Sequence, residues 1–307
     1  MRLLVTGGAG FIGRFVVERL SSRAEVVVLD DFSSANAEAP LHAARVVEAS
    51  IVDHNAVSDA MAEVDGVVHL AGVSSVTECK RHPGRTREIN VNGALCVAEE
   101  SAKRRLPFVF ASSAAVYGSS CGPGPLFEDS SIAPCNEYGC QKAEVERELR
   151  AAGMDHVALR LFNVYGSGQN VDSHSSGVIS RLMNSIQNGA PFKLHGDGSQ
   201  SRDFVYAGDV AAAVDAALGL EGMSVINIGS GKSVSLLELI RRAESATGRR
   251  ANVTWVDNDG GVMESLASLL AAKRLLNWEP ETSLDVGLRT FAGGGEALRS
   301  LVDLYGT

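Results

Sequence analysis

Three shortages narrow what this chain can be: few cysteines, no excess of basic residues, and no long apolar run. Five cysteines in 307 residues, odd in number and without Cys-x-x-Cys spacing, indicate neither a disulfide framework nor a zinc site. Cys79, Cys96, Cys121, Cys135 and Cys140 read as buried or idle thiols in a reducing compartment. Lys and Arg total 28 against 37 Asp and Glu, a net charge of -9. That balance argues against nucleic acid or an anionic membrane as partner, because either needs a basic face to neutralise phosphates. A local basic pocket remains open. No apolar stretch approaches a membrane span, and the opening MRLLVTGG lacks a charged segment leading into a long apolar one, so the expected location is the cytoplasm. No internal repeat or low-complexity linker is present. What remains is an ordinary globular composition, 45% hydrophobic, long enough for one large domain or two modest ones.

Short apolar runs alternate with longer amphipathic ones through the first half. Leu3 to Thr6, Val26 to Leu29, Arg45 to Val47, Val67 to Leu70, Phe108 to Phe110 and Val157 to Leu161 predict strands. Phe11 to Ser21, Asn55 to Met61, Asn90 to Arg104 and Tyr138 to Ala152 predict the helices between them. Strand and helix in strict alternation imply right-handed crossovers and a parallel sheet covered on both faces, a doubly wound α/β fold. After Gly166 the pattern loosens into a second, smaller α+β lobe. It holds a helix at Val178 to Asn188, a strand at Phe192 to His195, strands at Ser224 to Ile228 and Asn252 to Val256, and a helix at Leu236 to Thr247.

The stretch LLVTGGAGFIG places Gly7, Gly10 and Gly13 between the first strand and the first helix, with Phe11 and Ile12 opening that helix. Glycines there allow a tight turn, backbone approach to a pyrophosphate and close helix packing, so the helix N-terminus becomes an anion site. The second strand ends in Asp30-Asp31, where an acid accepts hydrogen bonds from the ribose hydroxyls of NAD and repels a 2'-phosphate. Phe32 to Asn36 carries no Arg or Lys, so NAD is expected over NADP. The plainer alternative is that the two acids only begin a polar loop.

Tyr138 and Lys142 lie four apart on a predicted helix, hence on one face. An ammonium beside a phenol favours the phenolate, which makes tyrosine a usable base. Taken alone, the pair is as well read as an ordinary surface contact. Joined to the glycine loop and to the hydroxyls of Ser112 and Ser113 at a strand end, it reads as an acid/base centre beside a dinucleotide.

With these motifs the chain resembles the extended short-chain dehydrogenases/reductases of the NAD-dependent epimerase/dehydratase family, UDP-hexose 4-epimerases in particular. The matching motifs run nearly end to end: TGGAGFIG, HLAG, NVNG, ASSAAVYG, YGCQK, RLFNVYG, GDGSQSRDFVY, NIGSG and LLNWEP. The resemblance implies that Tyr138 takes the sugar hydroxyl proton, Lys142 holds the nicotinamide ribose and depresses the tyrosine pKa, and Ser113 holds the reacting oxygen. It places Asn90 and the Leu70-Ala71-Gly72 backbone against NAD, has Ser112 either brace the strand end or contact NAD, and puts Ser50-Ile51 where relatives bracket the adenine with Asp-Ile. Asn163, His195, Arg202 and Ser265 would face the nucleotide-sugar, Arg202 pairing with its diphosphate. The alternative for Arg202 is a salt bridge to Asp203 or Asp209. A second diphosphate-binding arginine of relatives is missing, replaced near Asn258-Asp259-Gly260-Gly261.

The implied division is an NAD-binding Rossmann domain at 1–165, extended by about 203–222, and a substrate lobe at 166–202 and 223–307. Relatives pair through helices corresponding to Asn90 to Arg104 and Tyr138 to Ala152, whose apolar positions here are Val91, Leu95, Ala98, Ala143, Val145 and Leu149. A homodimer is the expectation. Ala114-Ala115 stand where a 4,6-dehydratase carries an Asp-Glu pair, and methyl groups cannot transfer protons. The reading is therefore a 4-epimerase working through a 4-keto sugar. Other NAD-dependent nucleotide-sugar enzymes (dehydratase, keto-sugar reductase, decarboxylase) and a non-catalytic dinucleotide-binding protein are the alternatives. Ser265, small where restricted epimerases carry a tyrosine, implies room for a 2-acetamido group.

Overall fold

Runs such as Leu3-Leu4-Val5 and Val26-Val27-Val28-Leu29 have no polar face, a pattern only a strand covered on both sides can use. The computed structural model, which describes residues 1–34, 43, 45–119, 124–169, 177–257 and 262–292, places them so. In chain order the strands are β1 (Arg2–Thr6), β2 (Glu25–Asp30), β3 (Arg45–Glu48), β4 (Gly66–His69), β5 (Phe108–Ser113) and β6 (Val157–Leu161). They are followed by β7 (Asn163–Tyr165), β8 (Pro191–His195), β9 (Ser201–Tyr206), β10 (Ser224–Ile228), β11 (Ser233–Ser235) and β12 (Asn252–Val256). Seven form one sheet in the order β10-β6-β5-β4-β1-β2-β3, every pair parallel. The doubly wound expectation holds.

Each face of this sheet carries its own core. On one, Val5, Val28, Leu159 and Ile226 meet the helices Phe11–Ser21 and Ala207–Ala217. On the other, Leu4, Val27 and Phe110 meet His54–Ala60, Ala94–Lys103 and Glu137–Ala151. A third core, with Leu182, Ile186, Leu194, Leu239 and Leu288, joins the helices Val178–Asn188, Leu236–Thr247 and Leu284–Ala292 to the sheet β11-β9-β7 and the pair β12-β8. Among the described residues, no helix is long and apolar enough to cross a membrane.

Two expectations need correction. The boundary at 223 cuts β10 from its sheet, because Ser224–Ile228 pairs residue for residue with β6 and buries Ile226 and Ile228. Periodicity reveals a strand but not which sheet it joins. The helix expected at Asn90 to Arg104 opens as a π-helical segment, Glu88–Gly93, and becomes α-helical only over Ala94–Lys103. Of the apolar positions on the helices through which relatives pair, Val91, Ala98, Val145 and Leu149 are buried in the second core and Leu95 packs on it. They face the sheet because a helix covering a sheet spends its apolar stripe there.

Behind β5 lies a buried polar network. Glu146 and Arg160 pair at 2.7 Å with 9% and 3% of their side chains exposed. Arg160 also donates to the Tyr117 hydroxyl (2.9 Å) and the Glu128 carbonyl (2.9 Å), and Tyr117 donates to Asn227 (2.6 Å). This joins the catalytic-side helix to β6 and β10. Removing one partner of such a pair leaves a buried charge uncompensated, so Arg160→Met is expected to cost about 3–5 kcal/mol in urea denaturation. A loss under about 1 kcal/mol contradicts this account of the network.

Candidate active site

At the end of β1 the chain must turn hard against the neighbouring strand. Gly7 has φ +72°, and a Cβ there would lie 2.6 Å from the Ala71 amide nitrogen; at Gly13 it would lie 2.1 Å from the Gly7 carbonyl oxygen. No larger residue fits either place. Gly10 begins the helix Phe11–Ser21 without a side-chain cap, so first-turn N–H groups face the cleft with the positive end of the helix dipole. At the end of β2, Asp30 accepts from the Ala9 and Phe32 amides, both at 2.9 Å, which ties the glycine loop to the acid. Burial raises the Asp30 pKa against the pull of those amides. Asp31 accepts from the Ser33 amide (3.0 Å) and hydroxyl (2.6 Å).

These groups open onto a cleft of about 720 Å³. It runs from the glycine loop with Phe11 and Ile12, past Asp30, Asp31, Ser50 and Ile51, to the Leu70-Ala71-Gly72 backbone. Its far end reaches Ser112, Ser113, Tyr138, Lys142 and Asn163. Dimensions and lining suit an extended dinucleotide, with backbone amides for phosphates and acids for ribose.

Asn90, expected to line the cofactor, stands one layer behind that wall. Its Oδ1 accepts from the Val73 amide at 2.7 Å and its Nδ2 donates to the Val73 carbonyl at 3.0 Å. A side chain so engaged braces the loop. Ser112 is likewise turned inward, its buried hydroxyl donating to Glu146, so of the two serines only Ser113 has its hydroxyl at the catalytic corner.

There Ser113 accepts from the Ala115 amide at 3.2 Å and stands near enough to Tyr138 to oppose the rise of its pKa. Asn136 caps the helix Glu137–Ala151 by accepting from Gly139 at 2.9 Å, which sets Tyr138 in the first turn and Lys142 one turn on. Lys142 Nζ donates to the Ala111 carbonyl at 2.7 Å and lies 4.7 Å from the centre of the Phe110 ring and 5.9 Å from that of Tyr138. The expected depression of the tyrosine pKa is not what the protein delivers. Burial pushes Tyr138 up to about 12, with Ser113 opposing, while burial pulls Lys142 down to about 8 against the attraction of Glu146. Desolvation outweighs the neighbouring ammonium because both groups sit among apolar walls.

Arg202, His195 and Ser265 lie outside the wall of this cleft. Arg202 on β9 donates to the Ser201 carbonyl at 2.8 Å, and burial lowers its pKa. The alternative ion pairs do not form: Asp203 accepts from the Ser230, Gly231 and Ala267 amides at 2.6–3.0 Å, and Asp209 from Thr282 at 3.0 Å. Ser265 is buried and its amide donates to the Ser201 carbonyl at 3.2 Å, which sets it beside Arg202. His195 stands on the exposed end of β8. Asn163 reaches both regions, donating to the Asp203 carbonyl at 3.1 Å. Asn258 to Gly261, Asn36 and Cys121 lie outside the described residues. Sequence reasoning missed the role of Asp203, which anchors the backbone at Ser230-Gly231 and at Ala267, and that of Gln141. The latter had a signal: a polar residue at helical spacing between Tyr138 and Val145, on the face that packs inward.

Fold and cleft together define a dinucleotide-binding α/β protein with an acid/base corner. The chain belongs to the NAD dependent epimerase/dehydratase family, whose model matches residues 3–229. It is 33% identical to a putative UDP-glucose 4-epimerase of Methanocaldococcus jannaschii, over 94% of this chain and 96% of that protein. Among solved structures it is similar to the UDP-glucose 4-epimerase of Thermotoga maritima with UDP-glucose: TM-score 0.91, 31% identity, 98% of this chain and 100% of the other. It is also similar to a UDP-N-acetylglucosamine 4-epimerase of Methanobrevibacter ruminantium bound to UDP-N-acetylmuramic acid: TM-score 0.89, 30% identity, 98% of each chain.

His69, at the end of β4, yields a pH prediction. It contacts Thr6 Oγ1 at 2.7 Å and stacks between Phe108 and Phe110, and burial, helped by Lys142, pulls it from 6.5 down to about 3. Between those values the unfolded chain binds a proton that the folded one refuses, so stability rises with pH across the window. Denaturation midpoints are expected to fall steadily from pH 6.5 toward 3, and His69→Phe to flatten that slope. An unchanged slope in the variant contradicts the assignment.

Proposed function

We propose that this protein is an NAD-dependent 4-epimerase of UDP-hexoses, working through a transient 4-keto sugar. The observation that carries the reading is the meeting of Ser113, Tyr138 and Lys142 at the end of a cleft built for a dinucleotide, with no second acid or base at Ala114 and Ala115. The glycine loop would hold the pyrophosphate, Asp30 and Asp31 the adenosine ribose, and Lys142 the nicotinamide ribose. Bound NAD supplies the hydride acceptor and, when oxidised, a positive charge, the sign needed to bring a phenol at about 12 toward neutrality. Tyr138 takes the proton from the sugar hydroxyl and gives it back, and Ser113 steadies the oxygen between them.

Arg202, held on β9 and paired with neither Asp203 nor Asp209, has the charge and fork geometry for the diphosphate, and Asn163 and Ser265 would flank the sugar. The lobe of 166–202 and about 229–307 would close over the nucleotide-sugar. A homodimer through the outer faces of the helices Ala94–Lys103 and Glu137–Ala151, in a reducing cytoplasm, completes the reading. The free thiols Cys79, Cys96, Cys135 and Cys140 agree with that compartment.

Denaturing the purified protein is expected to release NAD. Tyr138→Phe should keep that NAD yet lose turnover by about 10²–10⁴-fold, the usual weight of one general acid/base. A variant of near wild-type rate contradicts the assignment. Because Ser265 is small, both the UDP-glucose/galactose and the N-acetylated pairs are expected to turn over. No detectable activity on the N-acetylated pair sinks that part of the reading.

A further inference from the structure

The loop after β4 supplies Leu70 to Val73 to the cofactor side of the cleft, while Tyr138 and Lys142 come from a different element, the helix Glu137–Ala151. Their register is held by side chains. Asn90 grips Val73 through both its amide and its carbonyl, and with its remaining Nδ2 hydrogen donates to Gln141 Oε1 at 2.8 Å. Gln141 Nε2 in turn donates to Thr86 Oγ1 at 3.1 Å and to Glu137 Oε1 at 3.2 Å. The Cys79 thiol fills the remaining side, 3.6 Å from the Val73 carbonyl and 3.8 Å from Gln141 Oε1. Asn90, Gln141, Thr86 and Cys79 are all at most 2% exposed. Gln141 follows Tyr138 by three residues and immediately precedes Lys142, so a shift of its amide moves both.

Resting on the epimerase reading, we infer that Gln141 is a positioning residue that sets the catalytic helix against the cofactor loop. The physical basis is that both Gln141 amide groups are satisfied only when loop, π-helical segment and helix stand in one register. A slip leaves buried donors unpaired and out of reach of water. Misplacement of reacting groups by about 1 Å costs on the order of 10²-fold in rate.

The test uses Gln141→Met, which keeps length and removes both polar groups, with Asn90→Leu and the double variant alongside. For Gln141→Met, kcat per NAD-loaded molecule is expected to fall about 10–100-fold with KM for UDP-glucose within about twofold, since the sugar seat lies on other elements. The double variant should be no worse than the poorer single one. A merely structural role lowers melting temperature and NAD content but leaves kcat per loaded molecule within threefold, and that result overturns the inference. Amide exchange gives a readout independent of the reaction. Exchange of the 70–75 segment is expected to quicken in Gln141→Met, and unchanged exchange overturns the inference as well. If the wild-type protein interconverts no UDP-hexose, the epimerase reading fails, while faster exchange still supports the link between loop and helix.

Discussion

Parallel pairing of β1 with β2 on one side and β4 on the other is the constraint on which the rest depends. The chain builds outward through β2 and β3, then returns to the opposite side of β1 for β4, β5 and β6. All those strands end at one edge, and the connections leaving β1 and β4 run from there to helices on opposite faces of the sheet, which opens a crevice. Gly7 lies so close to Ala71 at that fork that the backbone itself forms the wall. The binding cleft follows from strand direction rather than from any particular side chain.

Electrostatics then differentiates the two ends of the cleft. At the phosphate end the protein offers uncapped amides and a helix dipole, which need no titration to work. At the catalytic end it places a phenol and an ammonium in apolar surroundings, and burial moves them in opposite directions, Tyr138 up and Lys142 down. Each is held nearer its uncharged form. Tyr138 stays a neutral phenol while Lys142, though lowered, keeps most of its charge near pH 7, so the phenol needs a further positive charge beside it before it can act as a base.

Much of this was legible in the sequence because it rests on short-range pattern. Helix Phe11–Ser21 and strand β6 fall where periodicity put them, and the glycine loop, Tyr138, Lys142 and Ser113 meet as their spacing implied. What escaped depends on contacts between distant segments. Asn90 carried the right signal but acts through Val73, and no spacing rule says that its amide would be consumed there. The division between Ser112 and Ser113, by contrast, was open to sequence reasoning, since the alternation of a strand sends one hydroxyl to Glu146 and leaves the other at the cleft. Strand β10 looked like part of a second lobe until its register with β6 was seen. The sign of the Tyr138 shift was misjudged because a helix-face argument sees the neighbouring charge and not the desolvation.

The central claim is that Tyr138 and Ser113 serve an oxidation at C4 whose hydride is returned to the same carbon from within a closed site. The most direct measurement is incubation of the purified protein with UDP-glucose deuterated at C4, without added cofactor, followed by separation of the C4 epimers. The expected result is UDP-galactose that retains deuterium at C4, with no accumulation of reduced cofactor. Epimer formed with the label lost to solvent, a dehydrated or decarboxylated product, or stoichiometric consumption of cofactor would contradict the account.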